Sequence, residues 1–377
     1  MNEDPAAIVI DNGSGMSRAG FAGRSSDGLC VKNARMQGIP TSGAMAPVKF
    51  GSHFLTVCSD MAQARRSTLA LRYPVKHGLI TDWDDMEKIW HHTFFDELSV
   101  NPEEHPIFLT DAPLNPKANR EKTASIIFET FNAPHFFAAM QAPLALYSGR
   151  TTGVVVDVGD TVSYAVPVYE GFPVQHAIQK LELGGCDVAA QLTQTFVQRG
   201  HSSWVQTPAG QELVRDIKHR LGFVALDLER QLVTPLPPAE RYELPDGRAL
   251  EIGSERFRAP EVLFQPSILG LDTAAIQTAT FNSIMKCDPE LHSALYRGIV
   301  LCGGSSMFPG FADRMEKEIT ALAPNSLRVR VFAPPERKFS AWIGGSILAC
   351  LDTFQERWIS RAEYAEIGPR IVNQKCF

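Results

Sequence analysis

The sequence predicts an α/β protein made of two duplicated lobes, each built around a mixed β-sheet. At 377 residues the chain exceeds what a single hydrophobic core usually organises, so its length favours at least two lobes. A strand-loop-strand pattern with an Asp-x-Gly loop occurs twice, and strands alternate with helical patterns along the chain. Together these observations favour two copies of one α/β plan.

The two strand-loop-strand patterns have the same layout. An apolar strand over residues 6–10 runs into the loop DNGSG at 11–15, and a strand-like stretch returns over residues 18–23. Residues 153–169 repeat this layout around the loop DVGDT at 157–161. Because the loops lie about 145 residues apart, we expect each lobe to offer one phosphate-sized hairpin to a cleft between the lobes.

Two helix signals lie between these hairpins, and further ones follow the second hairpin. Residues 81–84 (TDWD) form a candidate capping box that opens an amphipathic run to Leu98, and Asn115-Pro116 precedes a helical pattern through Phe131. Further helical patterns cover 187–199, 210–222, 271–286 and 311–321. Residues 235–258 predict a loop and a hairpin around Pro245-Asp246-Gly247. The Gly-, Ser- and Pro-containing stretch 24–54 predicts an exposed, mobile segment.

Composition narrows the function classes. A formal net charge of −6 and a pI near 6.0 give no basic face that would make nucleic acid the default partner, and they favour cations or basic protein surfaces. The seven cysteines are scattered without a CxxC spacing, which predicts reduced thiols. No stretch of the sequence has the length and apolar character of a membrane span or a signal core, so we expect cytoplasm or nucleus.

The loops have the chemistry of a phosphate site. Small residues let backbone N–H groups converge on phosphates, as Gly13, Ser14, Gly15 and Met16 could do, although such a stretch alone is often only a turn. Asp11 and the equivalent residue Asp157 could approach a nucleotide-bound magnesium ion through water; the alternative is that both only cap turns. A third strand, residues 298–301, ends in CGGSS at 302–306 before a helix, which favours a nucleotide cleft.

Several longer strings of residues make the chain resemble the actin family. The strings that carry the resemblance are DWDDMEKIWHH at 82–92, APLNPKANREK at 112–122, WIGGSILA at 342–349 and the terminal KCF at 375–377. The resemblance covers essentially the whole chain with few length changes. It implies the duplicated two-lobe ATPase fold that actins share with heat-shock chaperones and sugar kinases. It also implies an outer lobe over residues 1–144 and 340–377, and an inner lobe over residues 145–339.

The resemblance also implies roles for individual residues. Asp11, Gln141 and Asp157 would serve catalysis, with Gln141 positioning the attacking water and the two aspartates facing the metal. The residues that would bind the nucleotide are Gly13, Ser14, Gly15, Met16, Arg18, Gly159, Asp160, Thr161, Val162, Gly185, Arg215, Lys218, Gly304, Ser305, Met307, Phe308 and Lys338. The implied cofactors are ATP or ADP with Mg²⁺ or Ca²⁺.

Several of these positions depart from the actin pattern. Arg18 stands where actins carry lysine, which replaces a compact ammonium by a planar fork. Val158 replaces a serine, so a hydroxyl that could bond the γ-phosphate is missing, and Thr161 replaces a glycine. Tyr164 replaces a histidine that helps to relay protons, and His219 replaces a glutamate near the nucleoside. We therefore expect nucleotide binding with weak or impaired ATPase activity; the alternative is that neighbouring residues compensate for these changes.

The surfaces that actins use for assembly are retained unevenly. Residues 36–54, which match the mobile loop inserted into the neighbouring subunit, bear little resemblance to actin, whereas 264–270 and 286–288 stay close. The resemblance implies that the cleft where actin-binding proteins dock is built from Tyr147, Leu348, Leu351, Thr353 and Phe354. Arg357 adds a charge there, which either weakens apolar docking or is simply solvated. His77 matches a histidine that is often methylated in actins, but a core or loop histidine would look the same.

Two functions remain open at this stage. The first is an ATP-binding, actin-like cytoskeletal protein whose nucleotide controls assembly into filaments with itself or other actin-family subunits. The alternative is an actin-related structural subunit of a larger dynactin-like, ciliary or chromatin-remodelling complex that holds its nucleotide mainly for stability. Fold alone does not decide between them. A heat-shock-type chaperone is not expected, since no peptide-binding extension follows the ATPase lobes, and a sugar kinase is not expected, since the actin-like strings have no reason to appear in one.

Overall fold

The computed structural model describes residues 5–23, 36–40, 43–44, 57–58, 71–147, 149–233, 239–245 and 247–376. The chain forms two compact units. The first comprises Met1–Thr151 with Phe339–Phe377, and the second comprises Thr152–Lys338. The sequence had suggested lobe boundaries after residues 144 and 339. Each unit contains its own sheet and its own hydrophobic core.

Short strands account for the sheets in the described residues. They are β1 Ile8–Asn12, β2 Met16–Phe21, β3 Met36–Pro40, β4 Gly43–Ala44, β5 Val57–Cys58, β6 Leu71–Arg72, β7 Val75–Lys76, β8 Leu79–Ile80, β9 Ile107–Asp111, β10 His135–Met140, β11 Gly153–Val158, β12 Ser163–Tyr169, β13 Phe172–Pro173, β14 Gln179–Leu181, β15 Glu240–Glu243, β16 Ala249–Ile252, β17 Ile299–Cys302, β18 Val331–Phe332 and β19 Ile359–Ser360.

The α-helices lie mostly between these strands. They are α1 Trp83–His91, α2 Lys117–Ser125, α3 Gln141–Leu146, α4 Gly185–Gln198, α5 Ser202–Val205, α6 Pro208–Leu221, α7 Leu228–Val233, α8 Glu255–Arg258, α9 Ile276–Met285, α10 Pro289–Tyr296, α11 Phe311–Leu322, α12 Ser340–Ala349, α13 Arg361–Ile367 and α14 Val372–Lys375. Wider π-helical turns extend α1 and α2, over His92–Glu97 and Ile126–Thr130. None of the helices in the described part of the chain combines the length and apolar character that a membrane span requires.

The two central sheets repeat one topology. The first unit has the strand order β19-β10-β9-β1-β2-β3, and the second has β13-β12-β11-β17-β18 with β14 beside β12. In each, an antiparallel hairpin comes first, β1 with β2 and β11 with β12. A later strand then adds in parallel to the first strand of the hairpin, β9 on β1 and β17 on β11. Each unit is therefore a mixed α/β sheet built on the same plan.

Helix α12 packs unusually closely against its neighbours in the first unit. A Cβ atom at Gly344 would collide with the backbone carbonyl oxygen of Leu144 in α3, and one at Gly345 would lie 3.0 Å from the Phe108 ring of β9. The buried Trp342 indole Nε1 donates to the Val9 carbonyl in β1 at 2.9 Å. The Gly-Gly pair thus allows α12 to fix the position of α3 beside β1, where the first loop begins.

Most of the predicted elements are confirmed, with different ends. Helix α1 is capped by Asp82, whose Oδ1 accepts from the Asp85 amide at 3.1 Å, so the capping box that began at Thr81 is wrong by one residue. The Thr81 hydroxyl donates instead to the Pro74 carbonyl at 3.1 Å, which leaves the cap to the aspartate. The predicted hairpin near Pro245 is confirmed by β15 and β16, although Asp246 lies outside the described residues.

Two other expectations need correction. Helix α9 begins at Ile276 and not at Leu271, because the residue before it, Ala275, has an extended backbone with φ −71° and ψ 157°. Within the segment predicted to be exposed and mobile, residues 36–40 instead form β3, which pairs with β2 along the edge of the sheet. The rest of that segment, 24–35, 41–42 and 45–54, lies outside the described residues.

Candidate functional site

The first candidate loop is closed by a backbone hydrogen bond at Gly13. The Gly13 amide donates to the Met16 carbonyl at 3.2 Å, where β1 turns into β2. A Cβ atom at Gly13 would lie only 2.7 Å from that same carbonyl oxygen. Because side-chain carbons do not approach an oxygen so closely, this turn requires glycine. The loop therefore presents main chain in place of side chains.

The second unit repeats this geometry at Gly159. Its amide donates to the Val162 carbonyl at 3.0 Å, and a Cβ atom there would also lie 2.7 Å from the carbonyl oxygen. Each hairpin thus has an Asp-x-Gly turn closed by the same bond between residues three apart. The two loops therefore share this turn conformation as well as the sequence pattern.

Three side chains hold the carboxylate of Asp11. Thr110 Oγ1 donates to Asp11 Oδ1 at 2.6 Å, and Gln141 Nε2 donates to the same oxygen at 2.9 Å. Arg18 Nη1 donates to Oδ2 at 2.9 Å and forms an ion pair with it. Asp11 is only 3% exposed, so its charge is compensated almost entirely by protein groups.

Arg18 lies beside the first loop. Its Nη1 atom would be 3.8 Å from a Cβ atom placed on Gly13, and its guanidinium lies over the Phe339 ring at 5.7 Å from the centroid. The Nε atom is buried and has no hydrogen-bond partner within the described part of the chain. A buried N–H group without a partner favours an acceptor brought by a ligand.

The first loop is also tied to more distant segments of the first unit. The Gly78 amide donates to Ser14 Oγ at 3.1 Å, next to His77, which has a left-handed φ of 49°. The Trp90 indole donates to Asn12 Oδ1 at 3.3 Å. In contrast, the Met16 side chain is 42% exposed, so only its main chain closes the turn.

A second cluster surrounds the loop of the second unit. Lys218 Nζ, 3% exposed as a residue, donates to the Gly185 carbonyl at 2.9 Å and lies 3.9 Å from Asp160 Oδ1. Ser305 Oγ donates to the Gly159 carbonyl at 2.8 Å. Burial lowers the pKa of Lys218, and the nearby Asp160 carboxylate opposes that shift. Gly185 has no room for a side chain, since a Cβ atom would lie 2.5 Å from Ser305 Oγ.

The glycine loop after β17 approaches the same hairpin. Gly303 has a φ of 85°, and a Cβ atom there would collide with the Asp157 carboxylate and the Val158 carbonyl. Gly304 faces open space within the described residues. The loop is held by Arg337, whose Nη2 donates to the Ser306 carbonyl at 2.9 Å. Two sequence loops of the second unit and the start of α4 therefore meet around Asp157 and Asp160.

Some predicted nucleotide residues lie farther from this cluster or face elsewhere. Phe308 is 6% exposed and packs on Gly222, where a Cβ atom would lie 2.8 Å from its ring, so it belongs to the core. Arg215 forms an ion pair with Glu212 at 3.1 Å on α6. Lys338 is exposed, and Met307 and Thr161 are partly buried. Val162 contributes its carbonyl to the turn and is 7% exposed.

The substituted residues of the second hairpin lie on opposite faces of the sheet. Val158 is fully buried, packs in the core of the second unit and pairs with Ser163 across the strands. Tyr164 pairs directly with Asp157 and is 3% exposed. Residues opposite each other share one face, so Tyr164 lies on the same face as Asp157, whereas position 158 faces the core.

Sequence reasoning missed the residues at the end of β9. Thr110 supports Asp11, and the next residue, Asp111, accepts from Arg120 Nε at 2.7 Å and from Asn115. Burial raises the pKa of Asp111, while the Arg120 charge opposes that shift. Arg120 Nη1 also donates to the Cys376 carbonyl at 3.0 Å. The available signal was an apolar strand that ends in Thr-Asp.

The surface predicted to dock partner proteins is only partly exposed. Tyr147 and Leu351 are 40% and 37% exposed, and Leu348 is partly buried. Phe354 is 2% exposed and lies in the core of the first unit. Its ring packs at 4.8 Å from Phe137 and 5.4 Å from Trp358, centroid to centroid, within the aromatic core of the first unit.

The predicted metal carboxylates belong to different units, Asp11 to the first and Asp157 to the second. Among the described residues there is no cluster of three or more His, Cys, Asp or Glu side chains that could hold a metal ion by itself. The protein-family model described as Actin matches residues 2–377. This match covers essentially the whole chain, including both hairpins and the glycine loop after β17.

Proposed function

The chain belongs to the actin family, and we propose that it binds ATP or ADP with Mg²⁺ or Ca²⁺ and that the nucleotide controls its assembly into filaments. The observation that carries this proposal is the repeated turn at Gly13 and Gly159, each closed by the same hydrogen bond and each without room for a Cβ atom. Such turns let main-chain N–H groups approach phosphates closely.

The residues around these turns fit a nucleotide. Arg18, whose side chain is 15% exposed, and the buried Lys218 are cations beside the first and second loops, and the Arg18 Nε–H group has no partner within the described residues. Gly304 leaves open space after β17, as the approach of a flat base requires. Cations next to glycine turns can donate charge-assisted hydrogen bonds to phosphate oxygens, which supports a phosphate ligand.

Gln141 is suited to orient a water molecule. Its Nε2 donates to Asp11 Oδ1 at 2.9 Å and lies 3.3 Å from Thr110 Oγ1. A carboxylate only accepts hydrogen bonds, so the amide nitrogen must face Asp11 and the amide oxygen must face away from it. That oxygen can then accept a hydrogen bond from an attacking water. A divalent cation bound with the nucleotide would spread the charge of the transferring phosphoryl group.

Hydrolysis is proposed to be slow. Tyr164 occupies the face of Asp157 where a base would relay protons, and a phenol does not accept a proton readily near neutral pH. Val158 packs in the core and offers no hydroxyl to a γ-phosphate. We expect a weak ATPase that releases ADP and phosphate.

The second candidate function is an actin-related structural subunit of a larger complex, of dynactin-like, ciliary or chromatin-remodelling type, with nucleotide bound mainly for stability. The buried Val158 favours it, since loss of the γ-phosphate would go unsensed at that position. In either case, partners would include other actin-family subunits and proteins that dock near Tyr147 and Leu351. We propose a cytoplasmic, cytoskeletal location for the filament and a cytoplasmic or nuclear one for the subunit.

Sedimentation of the purified full chain separates these functions. The chain is incubated in Mg²⁺, ATP and physiological salt, then centrifuged, with electron microscopy of the pellet and phosphate release measured in the same sample. Helical filaments with phosphate release would support the first function. A soluble species that retains ATP without turnover would favour the complex subunit. A chain that neither assembles nor retains nucleotide would contradict both.

A further inference from the structure

We infer that Thr110 is a positioning residue for the hydrolysis of the bound nucleotide: its hydroxyl group orients the amide of Gln141, and through that amide the attacking water. This inference rests on the proposed nucleotide binding and on the proposed weak ATPase activity. It adds a residue that the sequence did not indicate and that acts through another side chain. The three side chains involved, Asp11, Thr110 and Gln141, all belong to the first unit.

The sheet of the first unit places Thr110 next to the two side chains that it joins. Strand β9, which contains Thr110, lies between β1 and β10 and is parallel to both. Because Leu109 pairs with Ile10 of β1, the next residues, Thr110 and Asp11, are level with each other and point to the same face. Gln141 directly follows β10 on the other side of β9. Thr110 is therefore the central member of the three.

The hydroxyl proton of Thr110 is directed at Asp11. Thr110 Oγ1 donates to Asp11 Oδ1 at 2.6 Å. A hydroxyl group has one proton and two lone pairs, so once this bond is made the oxygen can only accept further hydrogen bonds. The residue is 6% exposed, and branching at Cβ leaves threonine few side-chain rotamers. Thr110 Oγ1 is therefore an acceptor held in a fixed position.

Three acceptors surround the amide nitrogen of Gln141. Nε2 donates to Asp11 Oδ1 at 2.9 Å and lies 3.3 Å from Thr110 Oγ1 and 3.5 Å from the Asn12 carbonyl oxygen. If the amide were turned by half a rotation, its oxygen would face these same acceptors, which have no proton to offer it. Thr110 therefore helps to keep Nε2 on this side and Oε1 on the side proposed to face the attacking water.

A second contact restricts the movement of this amide. With Asp11 as its only close partner, the amide plane could turn about the contact between Nε2 and Oδ1 without losing that hydrogen bond. Thr110 Oγ1 approaches the same nitrogen from a second direction, so this rotation would cost a contact. A displacement of about 1 Å in a positioned group can lower a rate by about 100-fold. We therefore expect Thr110 to affect the rate of hydrolysis more than the affinity for the nucleotide.

The test compares wild type, Thr110→Val, Thr110→Ser and the matched control Thr93→Val in the full chain. Valine keeps the shape of threonine without its hydroxyl, whereas serine keeps the hydroxyl. Thr93 is fully buried in the same unit, and its hydroxyl donates to the Ile89 carbonyl at 2.7 Å. The dissociation constant of ATP and the rate of phosphate release at saturating Mg-ATP are measured separately, because a positioning residue changes the second and not the first.

We expect Thr110→Val to release phosphate about tenfold more slowly than wild type, with a dissociation constant for ATP within about threefold of wild type. Thr110→Ser and Thr93→Val should stay within about threefold of the wild-type rate. A decrease in Thr110→Val below about threefold would overturn the inference and leave nucleotide binding intact. An equal loss of ATP affinity and rate would also overturn it, because Thr110 would then only support Asp11.

If wild type does not bind ATP, the proposed function itself fails, and the inference fails with it. If wild type binds ATP but releases no phosphate, the proposed ATPase activity fails together with the inference, while nucleotide binding stands. These outcomes differ from the failure of the inference alone, in which wild type and Thr110→Val release phosphate at similar rates.

A second measurement needs no nucleotide. In the chain with isotope-labelled glutamine, the side-chain NMR signal of Gln141 is identified by its absence in Gln141→Ala, and exchange of its N–H protons with water is followed. We expect this exchange in wild type to be slower by about tenfold or more than that of Gln355, which is exposed, and to become faster in Thr110→Val but not in Thr110→Ser. Should Thr110→Val not fold, wild type decides: any smaller difference between Gln141 and Gln355 would overturn the inference.

Discussion

At the scale of single residues, we expect a substitution of Lys218 to change ATP affinity more than it changes the stability of the fold. It is 3% exposed, donates to the Gly185 carbonyl at 2.9 Å and lies beside Asp160. Lys218→Met keeps the length of the side chain and removes its charge. We expect a loss of ATP affinity of about tenfold, as for a hydrogen bond from a charged donor, with the free energy of unfolding lowered by only about 1 kcal/mol.

The matched control is Lys317→Met in the same unit. Lys317 is 43% exposed and pairs with Asp227 at 3.0 Å. The Lys317→Met variant should therefore show no measurable change in ATP affinity or in the free energy of unfolding. Isothermal titration of ATP and urea denaturation give the two quantities. Unchanged ATP affinity in Lys218→Met would show that Lys218 only holds the loop at Gly185.

The residues of the candidate site differ in how far the sequence reveals them. Gly13 and Gly159 could be predicted because the turn that needs them is local, closed between residues three apart. Thr110 could not, since its contact with Asp11 spans 99 positions and depends on β9 lying parallel to β1. Whether a strand ending in Thr-Asp reaches a site depends on sheet order, which no local pattern specifies.

At the scale of elements, the packing of α12 explains why the string WIGGSILA needs both glycines. Alanine normally favours a helix over glycine by about 1 kcal/mol. At Gly344, however, a Cβ atom would collide with the Leu144 carbonyl of α3. We therefore expect Gly344→Ala to lower the free energy of unfolding by about 2 kcal/mol, with Tm lower by about 4 °C or more.

Gly304→Ala is the comparison variant for this measurement. A Cβ atom at Gly304 meets nothing within 4 Å in the described residues, so its free energy of unfolding should stay within about 0.5 kcal/mol of wild type. Thermal unfolding followed by circular dichroism distinguishes the two variants. Equal Tm values for Gly344→Ala and Gly304→Ala would mean that α3 and α12 can move apart without loss of stability.

Glu363 near the start of α13 should make the free energy of unfolding depend on pH. Lys375 Nζ donates to Glu363 Oε1 at 2.8 Å, and the Ser360 amide donates to Oε2 at 2.8 Å. The hydrogen bond from Lys375 is the main cause that lowers the pKa of Glu363 to about 2. A carboxyl whose pKa is lower in the folded state stabilises the fold above its unfolded value near 4.5 and loses this contribution as pH falls toward 2.

Glu363→Gln measures that contribution directly. The difference in free energy of unfolding between wild type and variant should be constant from pH 7 to about 5, then shrink as pH falls further. Because Glu363 is 40% exposed, solvent screening keeps the difference near about 1 kcal/mol or less, and high salt should reduce it. A difference that grows on acidification would contradict the assigned ion pair.

Element types were easier to predict than element ends. The amphipathic spacing after Asp82 was enough to predict α1, but the choice between Thr81 and Asp82 as cap depended on the carbonyl of Pro74. Strand β3 was missed because its Gly and Pro residues are typical of loops, whereas pairing with β2 satisfies its backbone. Tertiary contacts decided both cases.

At the scale of the whole molecule, the duplication places one aspartate at the end of the first strand of each hairpin. Asp11 is buried and paired with Arg18, whereas Asp157 is only partly buried and lies against the loop after β17. One topology thus gives the two carboxylates different surroundings. The partly buried one is the better candidate for a cation that keeps its waters.

The increase in Tm that Mg-ATP causes in the full chain tests whether Asp157 faces the cation. A ligand that binds only the folded state stabilises it by about 2.7 kcal/mol at a concentration of 100 times its dissociation constant. We expect Mg-ATP to raise the Tm of wild type and to raise that of Asp157→Ala much less. Asp272→Ala, at an exposed loop position, should keep the full increase. An unchanged Mg-ATP effect in Asp157→Ala would exclude Asp157 as a carboxylate for the cation, because a lost ligand must appear as lost stabilisation.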